Sequence, residues 1–152
     1  MENYDVGIVG AGPIGGYIAG RIAEKGFSVV LFEKNKEIGK ILNCAGLVTP
    51  RVFDFLKIEK EKVIQNKIKG ANIHSPSDKL LSIGGDKVHA FAIDRCLFDK
   101  KIIEKSRDQG ADVLVDNNVL SVQRIGDKIE LRTSHLKDFT CDLLIGADGP
   151  FS

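Results

Sequence analysis

The sequence has little of what marks a secreted, metal-binding or membrane-spanning protein. Only three cysteines occur in 152 residues, widely spaced and odd in number, which argues against a disulfide framework or a zinc site. No apolar stretch approaches the roughly 18 residues that a membrane-spanning helix needs. The first residues, MENYDVGIVGAG, lack the basic segment and long apolar core of a secretory signal. We therefore expect a cytoplasmic protein.

An excess of charge of one sign is also absent, because 22 Lys and Arg nearly balance 21 Asp and Glu. A net charge of +1 suggests no polyanionic partner, so no nucleic-acid binding is expected. The three histidines share no metal-ligand spacing, and G-x-S-x-G, H-E-x-x-H and P-loop patterns are missing. What is present is a chain long enough for one domain with a hydrophobic core.

The first 33 residues have the pattern of a parallel β-α-β unit. A β-rich run at 5–9 ends in glycine, and a continuous apolar run occupies 28–32. Between them, residues 13–25 carry apolar side chains at helical spacing, namely Ile14, Ile18, Ala19, Ile22 and Ala23. Gly26 is placed to end this helix.

The remaining pattern predicts further strands and two more helices. We expect a loop over 34–48, a short helix opening at Thr49-Pro50, and a charged surface segment over 57–69. Turn residues favour antiparallel strands at 70–74, 80–83 and 89–93. A helix over 95–109, capped by Asp94 and buried through Leu97, Ile102 and Ile103, precedes strands at 112–115, 119–124, 128–133 and 142–145, with a hairpin between 124 and 128.

A glycine-rich turn lies between the first strand and the first helix. Gly10, Gly12 and Gly15 match G-x-G-x-x-G in the context that dinucleotide binding requires. The first glycine permits the turn, the second lets a pyrophosphate approach, and the third lets helix and strand pack closely. Glu33 ends the second strand, where its carboxylate can accept hydrogen bonds from ribose hydroxyls. A glycine-rich turn without a ligand is the alternative.

A second glycine turn, Gly146-Ala147-Asp148-Gly149, follows the last apolar strand. Asp148 could bond the ribitol hydroxyls of a flavin, and Gly149 could let the backbone approach the phosphates. Nicotinamide dinucleotides have no ribitol, so this turn favours FAD over NAD. The alternative for Asp148 is a turn-capping aspartate with no ligand.

The chain resembles the N-terminal part of the geranylgeranyl reductase family, FAD enzymes related in fold to para-hydroxybenzoate hydroxylase. The matching segments, in the family's order, are YDVGIVGAGPIGG (4–16), LFEKNKEIG (31–39), NCAGLVTPRV (43–52), IKGANIHSPSDK (68–79), IDRCLFDKKI (93–102) and LLIGADGPFS (143–152). Many relatives carry CAEG where this chain has CAG, so this loop lacks the acidic residue of those relatives.

The resemblance implies a fold and a set of cofactor contacts. The fold is α/β: a Rossmann-like FAD-binding fold with a parallel sheet, a β-hairpin/meander crossover and an inserted antiparallel segment. Residues 1–152 would be the FAD-binding domain, with 66–93 as the start of an inserted substrate domain. The backbone around Ile14 would contact the pyrophosphate and Glu33 the adenosine ribose, with Lys34 as a further cofactor contact. Cys44, Ala45 and Gly46 would lie along the flavin. Arg95 would contact the phosphate-ribitol portion, and the backbone of Val119 would contact adenine.

The resemblance also implies that reduced FAD delivers hydride to isoprenoid C=C bonds of a prenyl lipid, with no protein catalytic residue assigned. A flavin monooxygenase or halogenase, and a non-catalytic dinucleotide-binding fragment of a split enzyme, are the alternatives. Because the family is longer, we interpret the sequence as an N-terminal portion, with a separately encoded C-terminal part as one explanation. We expect weak FAD binding and little activity from this portion alone. Peripheral membrane contact stays open, although no amphipathic anchor is visible.

Overall fold

The structure is a computed structural model that describes residues 1–40 and 44–149. Residues 41–43 of the predicted 34–48 loop, and the last three residues of the LLIGADGPFS segment, lie outside the described residues. In chain order the elements are β1 (Glu2–Val9), α1 (Pro13–Ala23), β2 (Val29–Phe32), β3 (Leu47–Val48), α2 (Arg51–Leu56), β4 (Ile64–Ile68), β5 (Gly70–His74), β6 (Leu80–Gly84), β7 (Ala90–Ile93), α3 (Arg95–Asp108), β8 (Asp112–Leu114), β9 (Val119–Ile125), β10 (Lys128–Thr133) and β11 (Asp138–Gly146).

The chain divides into two compact units, the first made of Met1–Ile41 and Asp99–Ser152 and the second of Leu42–Phe98. The first unit contains a six-stranded sheet in the order β8-β2-β1-β11-β10-β9. Strands β8, β2, β1 and β11 run parallel, whereas β9, β10 and β11 form an antiparallel meander. This confirms the α/β class, the parallel sheet and the meander crossover.

The sheet of the first unit is buried on both faces at its centre, which explains the continuous apolar run of β2. Successive side chains of a strand point to opposite faces. Val29 and Leu31 therefore join one core with α1 and Ile103 of α3, while Val30 and Phe32 join another. In the second core, the rings of Phe32 and Phe139 pack edge to face with centroids 5.0 Å apart. These two cores hold the ends of β1 and β2 in place.

The second unit contains two small antiparallel sheets. One has the order β3-β7-β4, and the other is the ribbon β5-β6. Phe53 of α2 packs edge to face on Phe91 and Phe98, with centroids 5.8 and 6.1 Å apart. The ribbon is exposed along its whole length. Among the described residues, no helix is both long and apolar enough to cross a bilayer.

Several sequence-based boundaries were wrong. The charged segment 57–69 contains β4, and the predicted loop 34–48 contains β3; both strands pair with β7. A register irregularity between Ile64 and Asn66 breaks the two-residue period that would have revealed β4. Strand β7 pairs with β3 and β4, not with β6.

Burial also differs from the predicted pattern at two helices. Ile14 of α1 is exposed, although it was grouped with the apolar stripe, because the first turn of α1 extends beyond the core. In α3 Leu97 is only half-buried, and Phe98 occupies the core position instead, against Phe53. Strand β11 begins at Asp138, earlier than residue 142, because it continues along both β1 and β10.

Candidate functional site

The two glycine turns lie against each other at the carboxyl ends of β1 and β11. These strands are parallel neighbours, and the amide of Ala147 donates to the carbonyl oxygen of Val9 at 2.8 Å. Gly10 has a φ of +101°, and a Cβ there would lie 2.5 Å from the oxygen of Ala147 and 2.7 Å from Cα of Asp148. Only glycine fits this position, so the close approach of the turns depends on Gly10.

The amino terminus of α1 has no side-chain cap. Gly12 is the N-cap residue, Pro13 follows as the first helical residue, and the first turn carries no acidic residue. A Cβ at Gly12 would meet no atom within 4 Å, so the space in front of this turn is open. Amide groups at a helix amino terminus attract anions, and an open approach lets a phosphate reach them.

Gly15 has the packing role expected of the third glycine. A Cβ at Gly15 would overlap the carbonyl oxygen of Gly10, so α1 could not lie so close to the end of β1 with any larger residue. The adjacent Gly16, and Gly20 about one turn after it, contact α3 through Ile103 and Ser106. The glycines therefore fix the position of α1 between the sheet and α3.

Glu33 connects the glycine turn to the end of β2. Its Oε2 accepts a hydrogen bond from the amide of Ala11 at 3.0 Å, and its Oε1 accepts from the amide and the side chain of Asn35 at 2.9 and 2.6 Å. A carboxylate offers about four acceptor sites, so three bonds leave capacity for a further donor. The carboxylate is thus held in a fixed orientation beside the turn.

A cleft of about 280 Å³ opens where these elements meet in the first unit. Five predicted site residues line it: Gly10, Glu33, Lys34, Val119 and Asp148. Its volume is at the lower limit of small-molecule pockets, which suits one portion of a dinucleotide better than the whole. Gly149 follows Asp148 with a φ of +85°, and both are exposed.

The cleft also contains two residues that the sequence did not suggest, Asn117 and Asn118. The loop that carries them follows β8 and continues alongside the end of β2, with the amide of Asn117 donating to the oxygen of Glu33 at 2.8 Å. The Asn-Asn pair before a strand was the available signal. It was missed because nothing local indicates that this loop returns to Glu33.

In the second unit, the Cys44-Ala45-Gly46 loop lies next to Arg95. The amide of Ile93 donates to the oxygen of Gly46 at 2.8 Å, and a Cβ at Gly46 would lie 3.3 Å from Cγ of Arg95. Gly46 is buried with a φ of +72°, whereas Cys44 and Ala45 are exposed. Within the second unit, the structure therefore places Gly46 of the predicted flavin loop beside Arg95.

Among the described residues of the first unit, Tyr4, Asp5 and Cys141 have shifted pKa values. Hydrogen bonds from the amide and hydroxyl of Ser28, both 2.7 Å long, lower the pKa of Asp5. Burial and a 3.0 Å hydrogen bond to Asp112 raise the pKa of the Tyr4 hydroxyl. Burial raises the pKa of the Cys141 thiol. None of these side chains lines the cleft, so their pKa shifts bear on the stability of the fold and not on the site.

The chain is similar to curated proteins named digeranylgeranylglycerophospholipid reductase and to one solved reductase-like protein. It is 32% identical to digeranylgeranylglycerophospholipid reductase of Methanococcus vannielii over 97% of this chain and 38% of the relative. It is 34% identical to the enzyme of that name from Methanocaldococcus jannaschii over 96% and 38%. A crystal structure of a geranylgeranyl bacteriochlorophyll reductase-like protein from Thermoplasma acidophilum matches with a TM-score of 0.89 and 30% identity, over 98% of this chain and 40% of that one.

These relatives are much longer than the chain, which spans 38% of the length of the two curated enzymes. The family model that describes the FAD binding domain matches residues 3–152. The open helix terminus, the oriented carboxylate and the cleft beside them fit such a cofactor. The match covers nearly every residue, so the chain belongs to the FAD binding domain family, and its cofactor is FAD.

Proposed function

We propose that the chain holds FAD for an oxidoreductase that reduces isoprenoid C=C bonds of prenyl lipids. The observation that carries this proposal is the identity of 32–34%, over nearly all of the chain, with two enzymes named digeranylgeranylglycerophospholipid reductase. The matched region covers 96–97% of the chain, and the fold places the glycine turn and the turn at Asp148 side by side.

The adenosine diphosphate portion of FAD would occupy the cleft of the first unit. The diphosphate would lie before the first turn of α1, near the backbone of Gly12 and Ile14, where the approach is open. The ribose would reach the carboxylate of Glu33, which its bonds to Ala11 and Asn35 already orient. Lys34 and the backbone of Val119, which line the same cleft, would contact the adenosine.

The remaining predicted residues would contact the flavin portion of FAD. Asp148 and Gly149 would bond the ribitol and phosphate, and their exposure leaves them accessible. In the second unit, Cys44, Ala45 and Gly46 would lie along the flavin, and Arg95, adjacent to Gly46, would contact the phosphate-ribitol portion.

Bound flavin supplies the hydride chemistry, while the protein supplies orientation. The described residues are proposed to bind and position the cofactor, and none is proposed as a catalytic acid or base. Antiparallel strands over 66–93 would begin the substrate domain. The remaining length of the relatives would complete that domain, in the same polypeptide or as a separately encoded partner, and peripheral membrane contact would give access to a lipid substrate.

Two measurements test this proposal in order. Titration of FAD against the chain, followed by flavin fluorescence, should show saturable binding, weakened by Glu33→Gln and not by Glu24→Gln on the exposed end of α1. With the completing polypeptide present, dithionite-reduced protein should reoxidise when a digeranylgeranylglycerophospholipid is added without oxygen. Mass spectrometry should then show hydrogen added across C=C bonds, whereas an oxygen-dependent hydroxylated or halogenated product would contradict the proposal.

A further inference from the structure

The turn between β10 and β11 contacts the back of the loop that lines the cleft. Ser134 exchanges two hydrogen bonds with Asn118: its amide donates to the oxygen of Asn118 at 2.8 Å, and its hydroxyl accepts from the amide of Asn118 at 3.2 Å. Nε2 of His135 lies 2.7 Å from the carbonyl oxygen of Asp116. The turn therefore contacts the loop at both ends of Asn117.

The bond between His135 and Asp116 has a defined direction. A carbonyl oxygen can only accept, so Nε2 of His135 must carry the proton and donate it. The carboxylate of Asp116 lies 3.9 Å from the same nitrogen and 3.8 Å from Nζ of Lys36. Lys36 and His135 are both exposed, so their pairing with the carboxylate contributes little stability. The main contact between His135 and Asp116 is therefore the 2.7 Å bond to the carbonyl oxygen.

The backbone of Asp116 has a conformation that is uncommon outside glycine, although Asp tolerates it better than most residues. Its φ is +56°, in the left-handed region that a residue with a Cβ seldom occupies without support from its surroundings. The amide of Asp116 also donates to the oxygen of Asn35 at 3.0 Å. Asn35 thus holds the peptide before Asp116. The carbonyl of the peptide after Asp116 accepts from His135 at 2.7 Å and from the hydroxyl of Ser134 at 3.5 Å. The amide of that same peptide belongs to Asn117 and donates to the oxygen of Glu33, so its orientation directs Asn117 toward Glu33.

We propose that His135 is a positioning residue for the cofactor cleft. By bonding the oxygen of Asp116, it holds the left-handed turn that places Asn117 and Asn118 in the cleft wall and lets the amide of Asn117 bond the oxygen of Glu33. This inference rests on the proposed placement of the adenosine diphosphate portion in that cleft. His135 itself lies outside the cleft lining and acts only through the loop.

The test compares His135→Ala with His74→Ala, an exposed histidine of β5 in the other unit, and with His135→Gln, whose side-chain amide can still donate. Calorimetric titration with ADP, which needs only the first unit, is the binding measurement. Loss of one hydrogen bond should raise the Kd of His135→Ala roughly 2- to 12-fold. His74→Ala should match the unchanged chain, and His135→Gln should recover most of the affinity.

A second measurement separates positioning from general stability. The thermal midpoint of His135→Ala should stay near that of His74→Ala, while amide hydrogen exchange of the ligand-free chain should accelerate at Asn117 and Asn118 only in His135→Ala. An ADP affinity or an exchange rate in His135→Ala equal to that of His74→Ala would overturn the positioning role alone. No ADP binding by the unchanged chain would overturn the proposed placement of the adenosine diphosphate portion in this cleft, and the positioning role with it.

Discussion

At the residue scale, Gly10 and Gly12 have different reasons to be glycine. Gly10 combines a positive φ with backbone atoms of Ala147 and Asp148 where a Cβ would be. Gly12 has a φ of −74°, which any residue adopts, and open space in front of it. The first glycine is therefore required by the fold, whereas the second is required only if something approaches the backbone there.

This difference predicts opposite effects of two alanine substitutions. Gly10→Ala should destabilise the chain by roughly 1–3 kcal/mol, because the strained backbone and the clash with Ala147 add together. Gly12→Ala should cost under about 1 kcal/mol but weaken FAD binding, since the methyl group enters the proposed path of the diphosphate. Urea unfolding and flavin fluorescence measure the two effects. Equal FAD affinity in Gly12→Ala and the unchanged chain would contradict the assigned phosphate position.

Asp5 predicts a pH dependence at the start of β1. Since hydrogen bonds from Ser28 lower its folded pKa, the ionised carboxylate stabilises the fold above the unfolded value of 3.8, and this stabilisation is lost as pH falls through the folded pKa. Asp5→Asn and Ser28→Ala should both lower the thermal midpoint at pH 7. The difference from the unchanged chain should shrink as the pH is lowered in thermal scans; a constant difference would contradict this cause.

At the element scale, α3 depends on its cap. Oδ1 of Asp94 accepts a hydrogen bond from the amide of Leu97 at 2.9 Å, as the sequence predicted. Asp94→Ala should cost about 1 kcal/mol of unfolding free energy, while Asp94→Ser, which keeps an acceptor, should cost much less. Urea titration of both variants checks this, and similar losses in the two would show that the cap does not contribute.

The ribbon β5-β6 should be the least protected pair of strands. Its apolar residues Ile73, Leu81 and Ile83 are each 50% or more exposed, and a lone two-stranded ribbon is marginally stable in water. Amide hydrogen exchange should therefore be fastest at 70–84 among the strands and slowest in β1, β2 and β11. Protection of the ribbon equal to that of β2 would mean that another surface covers it.

The elements that the sequence predicted well have their causes close by in the chain. Strand β1, the glycine turn, α1 and β2 follow from local periodicity and from glycine geometry. Strands β3 and β4 could not be predicted in this way, because both owe their pairing to β7, and an irregular register hides the pattern of β4. Asn117 and Asn118 were missed for a similar reason, since Glu33 and the turn at Ser134 place them.

At the scale of the whole molecule, the chain brings the two glycine turns of the proposed cofactor site together from distant parts of the sequence. The glycine turn near residue 10 and the second turn near residue 148 meet because β11 returns to lie parallel to β1. The chain spans 38% of the length of the curated enzymes it matches. Experiments on this chain alone therefore test cofactor binding rather than catalytic turnover.

The most direct measurement is a crystal structure of the chain grown with FAD. We predict electron density for the diphosphate before the first turn of α1, for the ribose at the carboxylate of Glu33, and for the adenine beside Val119. A cofactor bound away from these residues, or a ribose with no contact to Glu33, would contradict the central claim that this cleft holds the adenosine diphosphate portion of FAD.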